Sequence, residues 1–202
     1  MTDAYNKYIL NGNPLVEEIK NAVPVDIAHI VRNMFLDADY DLIKQSRRHK
    51  FRLEHDSKYQ ASPDETEIFS AEFHRSRFLE TSEPIKNVYD LYIRPLVEKQ
   101  SGRKFEQADL RCYKMIAGGH FRIHKDDYQS QFGFIWYLTE NWKWDWGGLL
   151  ITLQPGLDVT VHIPEFNKLV IMNHAEEQLP HFVSEVSIYA KEPRLMLVGF
   201  LQ

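Results

Sequence analysis

The chain has 202 residues, of which 44% are apolar, 13% aromatic and 26% charged, with a formal charge of −5. That is enough chain to bury a core without covalent staples, too aromatic for a disordered segment, and without the basic excess that holds nucleic acid or an anionic membrane by bulk electrostatics. A lone cysteine, Cys112, excludes a disulfide framework and any Cys-rich metal site, and suits a reducing compartment.

The opening MTDAYNKYIL lacks the basic-then-apolar order of a secretory leader. The longest mainly apolar run, 132–138, is far short of a membrane span. A single domain over 1–202, soluble and cytoplasmic, is expected, with no nucleic-acid or membrane partner and an open oligomeric state.

In chain order, the first signal is helical. After Asp26, a plausible N-cap, the residues Ile27, Ile30, Val31, Met34 and Phe35 fall on one helical face. Residues 37–80 are charged and poorly periodic, and read as short strands and loops. A second helix follows Ser82: Pro84 stands early, where proline is tolerated. Ile85, Val88, Tyr89 and Tyr92 repeat at helical spacing, Pro95 should kink or restart the helix, and Gly102 should stop it.

From about Leu110 the texture changes to short apolar or alternating runs closed by turn residues. Eight strands are predicted, over 109–116, 120–126, 131–139, 147–153, 158–163, 168–173, 181–187 and 194–201. Eight strands at this spacing suggest a sandwich or barrel. Residues 1–105 read as helical and irregular support, and 106–202 as the β core.

The pattern His-x-Asp occurs once, at His124-Lys125-Asp126. Composition alone would place about 0.6 such pairs in this chain, so the pattern carries weight through its position. At the end of a strand, residues two apart share a face. One imidazole and one carboxylate would then stand side by side, as in the 2-His-1-carboxylate triad of non-haem Fe(II). The third ligand should be a histidine on a neighbouring strand. His181 opens such a strand; His174 and His162 are rivals, and His174-x-Glu176 is a competing pair. The alternative is that all are ordinary surface or core histidines. Arg194 starts the last strand among apolar neighbours, where a guanidinium needs an anionic partner. A dicarboxylate would supply one; a surface arginine at a strand start is the plainer alternative.

The ordered set Cys112-Tyr113, His124-x-Asp126, Ile135-Trp136-Tyr137-Leu138-Thr139 with Trp142, Gly147-Gly148-x-Leu150, Phe166-Asn167-Lys168-Leu169-Val170, Pro180-His181-x-Val183-x-x-Val186 and Pro193-Arg194-Leu195 resembles the Fe(II)/2-oxoglutarate-dependent dioxygenases of the prolyl 4-hydroxylase type. The nearest likeness is to ribosomal-protein prolyl hydroxylases and single-domain bacterial relatives. The resemblance implies a double-stranded β-helix: mainly β, jelly-roll or cupin-like, with eight antiparallel strands and the N-terminal helices packed on one sheet. It implies Fe(II) on His124, Asp126 and His181. It implies 2-oxoglutarate held by Arg194 with Tyr113 and Tyr137, dioxygen as oxidant, and ascorbate as an optional reductant. Phe200 stands where the alkylation-repair branch carries a second arginine, which disfavours nucleic-acid demethylation.

The substrate would be a prolyl residue or a small proline-like molecule. Arg122 shares strand parity with His124 and could meet it; so could Trp146 or Trp144 beside the glycine pair. The basic run Lys44, Arg47, Arg48, Lys50 and Arg52 could meet an acidic peptide or sugar, or simply be a solvated face. A cupin-like metal protein and a catalytically silent binding module remain as other classes.

Overall fold

The structure, a computed structural model, describes residues 9–10, 13–48, 68–126, 132–153, 159–174 and 179–202. A short pair, β1 (Ile9–Leu10) and β2 (Asn13–Pro14), leads into β3 (Val16–Lys20), helix α1 (Val25–Asp37), β4 (Asp41–Arg48) and β5 (Ile68–Arg75). Three helical pieces follow: α2 (Arg77–Thr81), α3 (Glu83–Val88) and α4 (Arg94–Ser101), the last two joined by a π turn over Tyr89–Ile93. Then come β6 (Ala108–Met115), β7 (His120–His124), β8 (Phe132–Tyr137), β9 (Leu150–Leu153), β10 (Val159–His162), β11 (Lys168–Asn173), β12 (His181–Val183) and β13 (Arg194–Leu201).

The eight strands from β6 to β13 match the eight predicted runs and form two antiparallel sets, β10-β9-β12-β7 and β6-β13-β8-β11. β5 joins the sets, pairing with β7 through Ala71 and Glu72 and with β6 through His74 and Arg75. The sheet therefore curls on itself as a jelly roll, the architecture expected from the sequence.

Strand alternation sorts the core into two layers. Phe134, Trp136, Leu169, Ile171, Leu195 and Leu197 face the helices, against Val31, Phe35, Ile85, Val88, Ile93 and Val97. The alternate residues Ile135, Tyr137, Val170, Met172, Met196 and Val198 face the barrel interior, with Leu150 and Val183. Strands covered on both faces read as continuous apolar runs. β8, β11 and β13 do so, and all of β8 and β11 is buried. The same alternation turns Arg194 inward with Met196 and Val198.

Helix α1 departs from its predicted start: Pro24 occupies the N-cap position and Asp26 lies in the first turn. Its buried stripe is Ala28, Val31 and Phe35, while Ile30 is 57% exposed. The break predicted at Pro95 is real. Pro95 lacks the N–H that would close the preceding turn, so the chain widens and the Arg94 N–H reaches back to the Tyr89 carbonyl. Gly102 ends α4 at φ 66°.

In the N-terminal half, short strands are expected within 37–80, where β4 and β5 lie, but none at β3. This half supplies three strands to the sheet as well as helices: β3 on the edge of β11, and the β4–β5 pair beside the barrel. Two polar clamps fix these additions. Glu80 takes both Arg75 Nε and Nη2 at 2.8 Å and the Cys112 N–H at 3.1 Å, tying α2 to β5 and β6. Asn167 accepts from the Val23 N–H and the Trp136 indole, and donates to the Val23 carbonyl.

Gly199 on β13 has no room for a side chain, since a Cβ there would overlap the Phe134 ring. Gly199→Ala should destabilise the fold by about 1–3 kcal/mol, the usual cost of overpacking a core. The check is a lower urea midpoint at unchanged slope.

Candidate functional site

Between the two strand sets lies a cavity of about 530 Å³ that His124, Asp126, His181 and Arg194 all line. His124 ends β7 and His181 opens β12, and the two are direct register partners. Their rings lie 4.3 Å apart between centroids. Each ring is oriented by a carbonyl two residues back: His124 Nδ1 donates to Arg122 O at 2.8 Å, and His181 Nδ1 to Leu179 O at 2.9 Å. A carbonyl only accepts, so the ring proton sits on Nδ1 and the metal-binding lone pair on Nε2.

Both Nε2 atoms lie 3.7 Å from Asp126, which stands two residues past the end of β7. Ligand atoms from the three residues all fall within 4.8 Å of one another, a spacing that could hold one metal ion. Burial alone would raise the Asp126 carboxyl, but His181, His174 and His124 outweigh it and hold the group well below the usual carboxylate range. Burial lowers His181, against the pull of Asp126. A neutral imidazole and an ionised carboxylate are the forms a metal takes.

The rivals are placed differently. His162 is a structural bridge, 2.7 Å from Glu18 and 3.1 Å from Thr152. His174 is buried behind the cluster, its Nε2 3.2 Å from the Asp126 carboxylate. Glu176 lies outside the described residues.

Arg194 is fully buried. Its Nη1 contacts the sulfurs of Met115 and Met196, its Nη2 lies 3.3 Å from the Tyr137 hydroxyl, and its Nε has no hydrogen-bond partner. Among the described residues no carboxylate pairs with it, and burial pulls its pKa down. Room for the arginine stem depends on Gly148, at φ 61°, where a Cβ would meet Arg194 Cδ at 3.0 Å. Gly147 and Gly148 are thus backbone geometry, as expected. A buried guanidinium short of acceptors fits an anionic ligand entering the cavity.

The two tyrosines separate. Tyr137 sits behind Arg194, with the guanidinium 5.0 Å above its ring. Tyr113 lines the cavity further out, its hydroxyl 3.5 Å from Arg111. Arg122 is not among the cavity residues. The parity expected of it fails at a bulge: two steps along β12 span three along β7, so Phe121 and His124 reach the same side. Trp146 also lies off the cavity, packed edge-on against Trp142 at 5.4 Å. Trp144 is largely exposed. Of the basic run, Lys44 pairs with Glu72 at 2.9 Å, Arg47 and Arg48 lie on β4, and Lys50 and Arg52 lie outside the described residues.

The sequence reading missed the outer part of the cavity. Ile43, Gln45, Phe73, Arg75 and Arg77 come from β4, β5 and α2, and Asp109 and Arg111 from β6. Alternation along β5 could have flagged Phe73 and Arg75, but nothing local joins them to a barrel more than thirty residues on.

The curled jelly roll brings together a partly buried His-Asp-His cluster and an inward arginine, a combination that fits the 2-His-1-carboxylate site of a non-haem iron oxygenase. Residues 109–202 match the model of the 2OG-Fe(II) oxygenase superfamily. The match supports an oxidoreductase, with the Fe(II), 2-oxoglutarate and dioxygen that this superfamily implies.

No curated protein matches the chain. Solved structures do. A Burkholderia pseudomallei oxidoreductase of the 2OG-Fe(II) oxygenase family is 13% identical at a TM-score of 0.65, over 93% of this chain and 85% of its own. A Trichoplax adhaerens prolyl hydroxylase, solved with a peptide fragment of the hypoxia-inducible-factor oxygen degradation domain, is 14% identical at 0.62, over 95% and 84%. A Pseudomonas putida prolyl-4-hydroxylase is 14% identical at 0.56, over 93% and 92%. At such identities the likeness is one of fold. No helix among the described residues is long and apolar enough to cross a membrane.

Because Arg194 is a buried charge without a counter-ion among the described residues, Arg194→Met should stabilise the ligand-free protein. An increase of up to about 1–4 kcal/mol is expected, as when buried charges give way to packed apolar groups. Thermal melts of the metal- and ligand-free proteins check this, and a lower midpoint in the variant would count against it.

Proposed function

We propose that the protein is an Fe(II)- and 2-oxoglutarate-dependent hydroxylase acting on an unactivated C–H of a prolyl residue, or of a proline-like or other small molecule. In this reading His124, Asp126 and His181 hold the iron, and Arg194, backed by Tyr137, holds the distal carboxylate of 2-oxoglutarate. The observation that carries it is Arg194, a fully buried guanidinium with no carboxylate partner among the described residues, in the same cavity as three residues that could hold a metal ion. When bound, the iron and 2-oxoglutarate supply the oxidising chemistry that puts one oxygen atom of dioxygen into a C–H bond, with succinate and carbon dioxide as co-products.

The chain's own part is positioning and exclusion. The Arg122 and Leu179 carbonyls hold the two imidazoles in the ligating tautomer. His174 faces the Asp126 carboxylate and limits its freedom to turn. Ile135, Leu150, Met172 and Met196 wall the inner cavity with apolar surface that keeps bulk water away. None of these side chains need move a proton.

A cupin-like metal protein working without a cosubstrate would share the cluster but has no use for Arg194. A silent binding module would have no reason to keep all four groups together. Trichoplax and Pseudomonas prolyl hydroxylases share this fold, which supports a prolyl substrate among the candidates. Single-domain organisation and a cytoplasmic setting without nucleic-acid partners complete the reading, and ascorbate stays an optional reductant.

Anaerobic Fe(II) titration separates the ligand sets. Asp126→Ala and His181→Ala should lose tight iron and all succinate formation, whereas His174→Ala should keep iron with at most partial loss of activity. Tight iron in Asp126→Ala would overturn the assignment. Wild-type protein should release some succinate from 2-oxoglutarate without added substrate, and only with dioxygen present. Arg194→Ala should weaken 2-oxoglutarate by about 2–5 kcal/mol, roughly 30-fold to several thousand-fold, as for loss of one partner of a buried charge pair. Titration by the visible band of the anaerobic iron chelate reads this directly, and an unchanged affinity would remove the cosubstrate role.

A further inference from the structure

The mouth of the cavity carries a charge opposite to that of the chain. Net charge is −5, yet Arg75, Arg77, Arg111 and Lys125 line the outer cavity against one acidic side chain there, Asp109. Two of these arginines are held in place. Asp109 takes Arg111 Nε at 3.0 Å and Nη2 at 2.6 Å, which leaves Nη1 beside the Tyr113 hydroxyl. The same guanidinium lies over the Phe200 ring at 4.5 Å. Glu80 grips Arg75 by Nε and Nη2 in the same way. Arg77, the first residue of α2, is exposed and has no side-chain partner among the described residues.

A guanidinium clamped along one edge keeps its remaining N–H groups pre-aimed, so a ligand costs it little ordering entropy. The wall between this rim and the metal cluster is apolar. Phe73 packs against Tyr113 and Phe121 at 4.7 Å each, and Phe121 reaches the His124 ring at 6.0 Å.

We propose that the rim formed by Arg75, Arg77, Arg111 and the Tyr113 hydroxyl binds a carboxylate of the substrate. The substrate is then a small organic acid whose aliphatic body runs past Phe73 and Phe121 to the His124–Asp126–His181 cluster. This rests on the hydroxylase reading above and names its substrate class. A cavity of about 530 Å³ is of small-molecule size, and a free carboxylate matches the planar fork of arginine. A peptide could present the same group from its C-terminus.

The test measures stimulation of 2-oxoglutarate-dependent succinate release by matched pairs. One arm is free aliphatic amino acids, L-proline included, against their amides. The other is proline-containing tripeptides with free against amidated C-termini. Free acids should stimulate turnover about 10- to 100-fold more efficiently than amides, the range for charge-assisted hydrogen bonds. Arg77→Gln and Arg111→Gln should each shrink that acid-to-amide ratio towards one, while Lys86→Gln, a charge loss elsewhere on the surface, should leave it intact. Each ratio is taken within one variant, so a general loss of turnover does not mimic the effect.

Equal stimulation by acids and amides overturns the carboxylate site, as does silence of every acid in the panel. Preference for the acid confined to the peptides overturns the small-molecule class. Failure of the underlying reading looks different: wild-type protein would then give no oxygen-dependent succinate in any arm.

Discussion

The interaction on which the site depends is one the isolated protein leaves incomplete: the inward guanidinium of Arg194. Taking a charge out of water costs several kcal/mol unless it is paired, and here the neighbours are two thioethers and a tyrosine hydroxyl. Several features of the fold serve that placement. Alternation along β13 turns the side chain inward, and pairing with β6 along its whole length and with β8 from Met196 onward holds the strand. Gly148 clears a path for the stem, and Tyr137 supplies a polar contact without neutralising it. Such a placement fits the anion that the proposed function puts there.

Iron binding makes the complementary demand, for groups that converge without neutralising one another. The register of β7 with β12 places two imidazoles opposite each other, and local carbonyls set their tautomers. The bulge between these strands matters as much as the pairing. It lets Phe121 and His124 reach the same side, so an apolar wall and a ligand come from one short strand. Asp126 then lies beyond the strand end, where the backbone is free to bring its carboxylate back against both rings.

Much of this was legible in the residues because it rests on local pattern. Eight apolar runs with turn residues between them gave eight strands, and His124-x-Asp126, His181 and Arg194 stood at strand ends where periodicity could place them. What escaped detection depends on distant partners. β3 forms a strand because the edge of β11 accepts it, and its charged sequence carries little intrinsic signal; for β4 and β5 short strands were expected, but not their pairing with the barrel. Arg122 was misplaced because a bulge changes parity without marking the sequence. The outer cavity was missed because it is assembled from β4, β5, α2 and β6, which only the folded sheet brings together.

The same division separates chemistry from selectivity. In the proposed reading a divalent ion, one aspartate, one arginine and a dicarboxylate would carry no net charge together, which would leave the inner cavity no charge for a substrate. Recognition must come from the mouth. There the residues before 109, namely Ile43, Gln45, Phe73, Arg75 and Arg77, lie outside the segment that matches the superfamily. His124, Asp126, His181 and Arg194 lie inside it. In the proposed reading the metal and cosubstrate groups thus belong to the matched barrel, and much of the rim belongs to the N-terminal elements. With Arg75 paired to Glu80, Arg77 is the positive charge that these elements add to the rim.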